Sequence, residues 1–392
     1  MVDALMPTYN RADLVFERGE GAYLLTGDGR RFLDFASGIA VTNLGHSHPH
    51  LVKALQAQAG KVWHTSNLFR IPDGERLAQR LVEATFADSV FFCNSGVEAF
   101  EAAVKMVRKY HDATGNPQRY RVITCAQSFH GRSLNAISAS GNPKYLEGFG
   151  PAVEGFDHVA FNNTNELRNA VTDETAAILV EPVQGEGGVR PADLAYLKAL
   201  REVCDEFSLL LVFDEIQCGM GRSGKLFAHE WAGIAPDVMM TAKGIGGGFP
   251  MGACLATEAA CQGFTAGTHG TTFGGNPLAM AVGNAVLDVM LEPGFLDGVD
   301  RVARSLWEHL RQVTERHPEV IEEVRGAGLM LGLKCVVPNA DLAKALREQE
   351  MLTVPAADNV VRLLPPLIID DSQVEEAVAK IEAACRALSG SA

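Results

Sequence analysis

The chain has 392 residues, a length that calls for roughly two domains built on separate cores. With 47% hydrophobic residues, 21% charged residues and 39 glycines, the composition excludes a disordered or fibrous chain and fits an α/β protein with many tight turns. The formal net charge is -14 and no run of basic residues occurs, which argues against a nucleic-acid partner and leaves any bound anion to be held by local groups.

The N-terminal MVDALMPTYNRADL has no apolar stretch after a basic start, and the chain contains no uninterrupted apolar run of about 18 residues, so neither export nor a membrane partner is expected. The eight cysteines form no C-x-x-C pair and sit mostly in apolar segments, where cysteine behaves as a small hydrophobe. A reducing compartment, and hence a cytoplasmic location, is the expectation.

In chain order, Arg18 to Asp34 reads as a hairpin, with Tyr23-Leu-Leu and Arg31-Phe-Leu as strands around the turn Gly27-Asp28-Gly29. His46-Ser-His-Pro-His invites a metal reading, but no carboxylate or cysteine completes the set and Pro49 suits the first turn of a helix. From about residue 70, helical stripes alternate with short apolar strands. Leu77, Leu81 and Val82 mark a helix, Val90-Phe-Phe a strand, Glu98 to Tyr110 a helix, and Arg121 to Cys125 a strand. Ala177 to Glu181 is a further strand, followed by a helix around Leu194, Leu197, Leu200 and Cys204. This alternation predicts a mostly parallel sheet covered on both faces. Beyond Pro293 a long helix leads to short strands and a last helix, for which Ser372-x-x-Glu375 reads as a capping box. The expected division is residues 51–290 as a large domain, with 1–50 and 291–392 forming a small α+β domain.

Leu209 to Lys243 is the segment richest in chemistry. One apolar run stops at Asp214-Glu215 and a second ends at Lys243, facing the Gly-rich turn 244–248. Ligands of parallel sheets bind outside the carboxyl ends of strands, so Asp214 and Lys243 are placed to share a crevice. Pyridoxal phosphate (PLP) needs both types of group: an amine for its aldehyde and an anion for its ring nitrogen. Taken alone, the pair is better explained as an Asp capping a turn and a solvated loop Lys, and the rest of the chain has to outweigh that reading. Other segments add to the pair. Asn94-Ser-Gly-Val97 joins a strand to a helix N-terminus and suits a phosphate, as a plain tight turn also would. Ser128-Phe-His-Gly-Arg132 offers a stacking ring and a guanidinium fork, though a core Phe129 and a surface ion pair at Arg132 explain it as well. Glu181-Pro-Val-Gln-Gly-Glu-Gly-Gly188 carries two carboxylates, and its paired glycines let backbone approach a ligand. Arg362, inside the apolar strand Val360-Val-Arg-Leu-Leu, needs an acidic partner, for which that loop is a source. Gly270 to Pro277 is a second small polar loop able to hold phosphate. No G-x-G-x-x-G follows a strand and no Walker A sequence occurs, which disfavours dinucleotides and nucleoside triphosphates.

These segments in this order resemble the class III, fold type I, PLP-dependent aminotransferases. The resemblance runs from Asp34-Phe-Ala-Ser-Gly-Ile-Ala-Val-Thr-Asn-Leu-Gly-His-Ser-His-Pro through Trp63-His-Thr-Ser-Asn and the motifs above to Phe213-Asp-Glu-Ile-Gln-Cys-Gly-Met-Gly-Arg, Ala242-Lys-Gly, Thr272-Phe-Gly-Gly-Asn-Pro and Arg362-Leu-Leu-Pro-Pro. It implies that Lys243 binds the cofactor aldehyde and shuttles the proton. By the same resemblance Asp214 pairs with the pyridinium nitrogen, Gln217 bonds the phenolic oxygen side, and Phe129 and Ile216 pack on the ring. Ser95, Gly96 and Val97 hold the phosphate with Thr272 of the other subunit of a homodimer. Arg132 binds a substrate carboxylate, and Glu186 masks Arg362 until the α-carboxylate of glutamate or 2-oxoglutarate arrives. Val97 and Phe100 depart from the common Ala and Asn, and Ile39 stands where ornithine δ-aminotransferases carry Tyr. The implied reaction is transfer of the distal amino group of N2-acetyl-L-ornithine to 2-oxoglutarate, as in arginine biosynthesis. Ornithine, succinylornithine, 4-aminobutyrate and N-succinyl-diaminopimelate are alternative donors, and an inactive PLP-fold binding protein is the reading from another class.

Overall fold

The structure, a computed structural model, describes residues 4–390; the outermost ends of the first and last expected segments, 1–3 and 391–392, lie outside the described residues. Its centre is a seven-stranded sheet in the order Ser89–Cys93, Gly252–Ala256, Val238–Ala242, Leu210–Asp214, Thr175–Val180, Arg121–Cys125, Phe156–Val159. Gly252–Ala256 runs antiparallel to both of its neighbours. The other six strands therefore point the same way, which is the mostly parallel sheet expected from sequence.

The middle strands are apolar throughout because both of their faces are covered. Alternate residues enter different cores. Ala177, Leu179, Leu210, Val212, Val238 and Met240 pack with the helix Gly96–Ala113, whereas Ile178, Val180, Leu211 and Phe213 pack with the helix Leu194–Phe207. This period-two division places helices on opposite faces and leaves the carboxyl ends of the parallel strands open to a crevice.

Two smaller four-stranded sheets flank this layer. Phe16–Glu20, Tyr23–Thr26 and Arg31–Asp34 form an antiparallel meander, extended by Met351–Leu352 running parallel to Arg31–Asp34. Ile321–Ala327, Met330–Cys335, Val360–Leu363 and Val354–Ala356 form an antiparallel sheet carrying Arg362. The last helix, Asp371–Ser389, is capped by Asp370, whose side chain accepts from Ser372 N, while Gln373 reaches back to Asp370 N at 2.8 Å. The capping box is thus Asp370 to Gln373 and not the Ser372 to Glu375 pair read from sequence; the acceptor two residues earlier starts the helix first.

The three histidines after Gly45 separate. His46 Nε2 lies 2.7 Å from Asp34 Oδ2 and His50 Nε2 lies 2.8 Å from Asp288 Oδ2. Among the described residues no three metal-ligating side chains converge, all eight cysteines are free thiols, and no single helix is long and apolar enough to cross a membrane.

Candidate active site

Five parallel strands deliver residues to one cavity of about 330 Å³ at their carboxyl ends. Ser89–Cys93 brings Asn94 to Val97, Arg121–Cys125 brings Phe129 to Gly131, and Thr175–Val180 brings Glu181. Leu210–Asp214 brings Asp214, Ile216 and Gln217, and Val238–Ala242 brings Lys243. Val41 and the segment 248–251 close the wall.

At one end, Ser95 caps the helix Gly96–Ala113, its hydroxyl accepting from Glu98 N at 3.4 Å. The first amides of this 18-residue helix have no carbonyl partners of their own and carry the positive end of its dipole, so this end of the cavity suits a dianion. Val97 packs beside Gly131, where φ is +129° and an added Cβ would stand 2.7 Å from Val97 Cγ2. Phe100 is wholly buried, and its ring stacks on His130 at 5.7 Å with 8° between planes. The Phe that departs from the common family residue therefore serves as the floor beneath His130.

Asp214 is almost fully buried and held from two sides. Its Oδ1 accepts from Ile216 N at 3.0 Å, and its Oδ2 lies 2.7 Å from His130 Nδ1. A buried carboxylate is kept charged only by such partners. Its neighbour Glu215 turns away and anchors the following loop, accepting from Ala228 N and His229 N, each at 2.8 Å. Glu181 bridges two loops: it accepts from Phe129 N at 2.9 Å and from Gly185 N at 3.3 Å. Burial pushes its pKa up, while His130 pulls it down and Asp214 adds to the rise. Lys243 follows its strand with φ of +52°, a left-handed conformation rare outside glycine, and is only partly exposed to the cavity. Burial lowers its amine pKa from 10.5 to about 8, with Glu186 opposing the fall.

The two arginines stand in opposite states. Arg362 is 1% exposed and donates to Glu186 through both terminal nitrogens, at 2.5 and 3.1 Å. It also donates to Gln217 Oε1 at 3.0 Å and to Pro355 O at 3.4 Å. With its oxygen engaged, Gln217 has its amide nitrogen left as the donor. Arg132 is exposed and, among the described residues, has no carboxylate partner; its guanidinium lies 4.5 Å from the Tyr145 ring centroid and 5.5 Å from that of Phe129.

Thr272 is exposed and does not line the cavity; it borders a separate hollow on the far side of Asn94 and Val97. Gly187 and Gly188 correct a sequence expectation. A Cβ on Gly187 would meet Gln127 O at 2.7 Å, and one on Gly188 would meet Ala357 O at 2.8 Å. These glycines let the loop pass two backbone segments, not a ligand. His130 and Glu181 line the cavity and Tyr145 lies against Arg132 and Phe129 outside its lining; sequence reasoning gave none of the three a role of its own. The need of a buried Asp214 for a partner was the signal for His130, which lies inside a motif already singled out.

The groups present fit PLP: amides at a helix N-terminus for its phosphate, a buried carboxylate for its ring nitrogen, and an amine made available at moderate pH for its aldehyde. Comparison with known proteins agrees with this chemistry. The family described as aminotransferase class-III matches residues 6–385. Acetylornithine aminotransferase of Mesorhizobium japonicum is 61% identical over 98% of this chain and 96% of its own length. Among solved structures, N-acetylornithine aminotransferase from Stenotrophomonas maltophilia is 40% identical with a TM-score of 0.86, covering 98% of both chains. Ornithine aminotransferase from Toxoplasma gondii is 31% identical with a TM-score of 0.95, covering 99% of this chain and 94% of its own. Likeness along the whole chain to enzymes of one kind, around a cavity whose chemistry suits their cofactor, settles the family: this protein is a class-III aminotransferase that uses PLP.

Proposed function

We propose that the protein moves the distal amino group of N2-acetyl-L-ornithine to 2-oxoglutarate, giving N-acetyl-L-glutamate 5-semialdehyde and L-glutamate, in the cytoplasmic synthesis of arginine. The observation that carries this reading is the unequal pair of arginines. A donor whose carboxylate lies far from the reacting amine needs one guanidinium at a distance, and Arg132 has no competing carboxylate among the described residues. A partner whose carboxylate lies beside the reacting carbon needs a second guanidinium that is masked in the first half-reaction, as Arg362 is by Glu186. Ile39 has no polar side-chain atom with which to hold free ornithine, and the high identity to an acetylornithine aminotransferase supports the acetylated donor.

In this reading Ser95, Gly96 and Val97 hold the phosphate, and Phe129 and Ile216 confine the ring. Asp214, braced by His130, offers the negative charge that keeps the ring nitrogen protonated. Gln217 donates through its amide nitrogen to the ring oxygen. When bound, PLP supplies the aldehyde that takes up the amino group and the ring that withdraws electrons from the reacting carbon. Lys243 Nζ would be the base that takes the proton from the reacting carbon and returns it beyond the transferred nitrogen, two atoms along. A pKa of about 8 leaves part of the amine unprotonated near neutrality. Thr272 reaches the phosphate of the other subunit's site, so the active unit is a homodimer. Its exposed loop, together with the exposed apolar side chains of Trp63, Leu68, Phe69 and Phe273, supports that assembly.

The test is the visible spectrum of the purified holoenzyme mixed with N2-acetyl-L-ornithine, ornithine or 4-aminobutyrate. The yellow band is expected to bleach fastest with the acetylated donor. Faster bleaching with another amine would keep the chemistry and overturn the donor.

A further inference from the structure

We propose that Tyr145 is a positioning residue for Arg132 and thereby sets the site's demand for a carboxylate distal to the reacting amine. The inference rests on the function proposed above and goes beyond it in naming what holds that guanidinium in place.

An exposed arginine normally samples many rotamers, and ordering it costs entropy each time a ligand binds. Among the described residues no carboxylate, carbonyl or hydroxyl is paired with Arg132, so hydrogen bonding does not fix it. Aromatic rings take that part. Its guanidinium carbon lies 4.5 Å from the Tyr145 centroid and 5.5 Å from the Phe129 centroid. The two rings meet edge to face, 5.8 Å apart at 80°. Stacking on a face leaves the donor edge of a guanidinium free for a bidentate carboxylate, whereas an ion pair would occupy that edge.

Tyr145 can do this because of where the chain puts it. It sits on the single helical turn Pro143–Leu146, started by Asn142, whose side chain accepts from Lys144 N at 3.2 Å. The phenol is half-buried, and its pKa is raised first by burial and then by the charge of Glu186, with Arg132 and Arg362 acting the other way. Tyr145 therefore stands within electrostatic reach of both arginines. Phe129 also faces the cofactor cavity, so Tyr145 is the member of this aromatic pair that can tune Arg132 alone.

Substrate chemistry separates the cases. N2-acetyl-L-ornithine presents only a distal carboxylate, glutamate presents one distal and one beside the amine, and alanine presents only the latter. Half-reactions of the holoenzyme with all three donors are measured for wild type, Tyr145→Ala, Tyr145→Leu, Tyr145→Phe and Tyr145→Trp. For the Ala and Leu variants, KM for acetylornithine and glutamate is expected to rise about tenfold, equivalent to about 1.4 kcal/mol, with kcat within about threefold. Alanine is expected to change less than about twofold, and Phe and Trp to restore the first two donors, because the ring face and not the hydroxyl does the holding. Calorimetric binding of N-acetyl-L-norvaline, which lacks the distal amine and cannot react, to the holoenzyme is expected to weaken in parallel. Equal losses for all three donors, no loss for any, or Tyr145→Phe behaving like Tyr145→Ala would overturn the proposal. If wild type rejects acetylornithine, the donor assignment fails by itself; the contrast between glutamate and alanine still decides the role of Tyr145.

Discussion

Replacing Glu186 by alanine tests the two-arginine reading most directly. Arg362 is 1% exposed and meets Glu186 through two hydrogen bonds, while the Glu186 side chain is 24% exposed. Removing one partner of a fully buried ion pair typically costs about 3–5 kcal/mol, and partial exposure of the carboxylate brings the strength of this mask down to about 2 kcal/mol. Arg362 is not stranded by the loss, because Gln217 Oε1 and Pro355 O remain as acceptors. A mask of about 2 kcal/mol leaves roughly one molecule in thirty unmasked, and the apparent affinity for an α-carboxylate is reduced by that fraction. Glu186→Ala should therefore raise kcat/KM for glutamate by up to about thirtyfold. It should not improve acetylornithine, whose carboxylate is then offered a second guanidinium at the wrong end. The assay is single-turnover bleaching with each donor at matched cofactor content. A glutamate to acetylornithine preference that stays within about twofold of wild type would show that Glu186 is not the mask.

Further outcomes follow from Lys243 and Thr272. Lys243→Met should abolish transfer; turnover within about tenfold of wild type would refute its place at the reacting carbon. The same variant reports on burial. The native amine loses its proton near pH 8 and the unfolded one near 10.5, so below pH 8 the folded protein carries the full cost of a buried charge. That cost, up to about 3 kcal/mol, fades as pH rises from 8 to 10.5, because in this window the unfolded chain holds more protons than the native one. Cofactor-free Lys243→Met should thus melt above cofactor-free wild type at pH 7, by a margin that narrows toward pH 10.5; parallel curves would refute the shift. Mixing subunits tests Thr272. A Thr272→Ala preparation, impaired alone, should gain activity when re-associated with Lys243→Met, because one site of the mixed dimer then has both intact residues. If Thr272 serves its own chain's site, no mixture rises above the Thr272→Ala parent.

The central sheet was legible in the sequence because a strand buried on both faces cannot alternate with polar residues, and runs such as Leu209 to Phe213 stand out without any partner in view. Asp214, Lys243 and the Asn94 to Val97 turn were legible because chemistry in such a sheet is confined to the carboxyl ends of strands. The Arg362 to Glu186 pair was legible for an electrostatic reason, since a guanidinium in an apolar strand requires a carboxylate. What escaped notice depends on approach between segments far apart in sequence. Arg222, fully buried, ties Asn43 Oδ1 at 2.7 Å to Leu329 O at 3.1 Å, and nothing in its local sequence names those partners. Gly187 and Gly188 were assigned to a ligand because the backbones of Gln127 and Ala357, which they admit, are not visible from the loop itself. The Tyr145 contact with Arg132 bridges thirteen positions and leaves no periodic trace.

Two residues that line the cavity, Lys243 and Glu181, oppose folding. Lys243 combines a left-handed backbone with an amine drawn out of solvent, and such a backbone conformation alone costs on the order of 1–3 kcal/mol. Glu181 holds a carboxyl in a place that burial makes unfavourable for its charge, close to a second buried carboxylate. A core built only for stability would carry apolar side chains at both positions, as their flanking strands do. Each cost is offset by the structure around it: the extended ladder from Val238 to Ala242 fixes the strand before Lys243, and two backbone amides satisfy Glu181. Cofactor binding then adds stability in proportion to the logarithm of its concentration over the dissociation constant, because only the folded chain assembles the five strand ends. The cavity is therefore the part of this fold whose stability depends most on being filled, and local opening in the cofactor-free protein should begin at these strand ends.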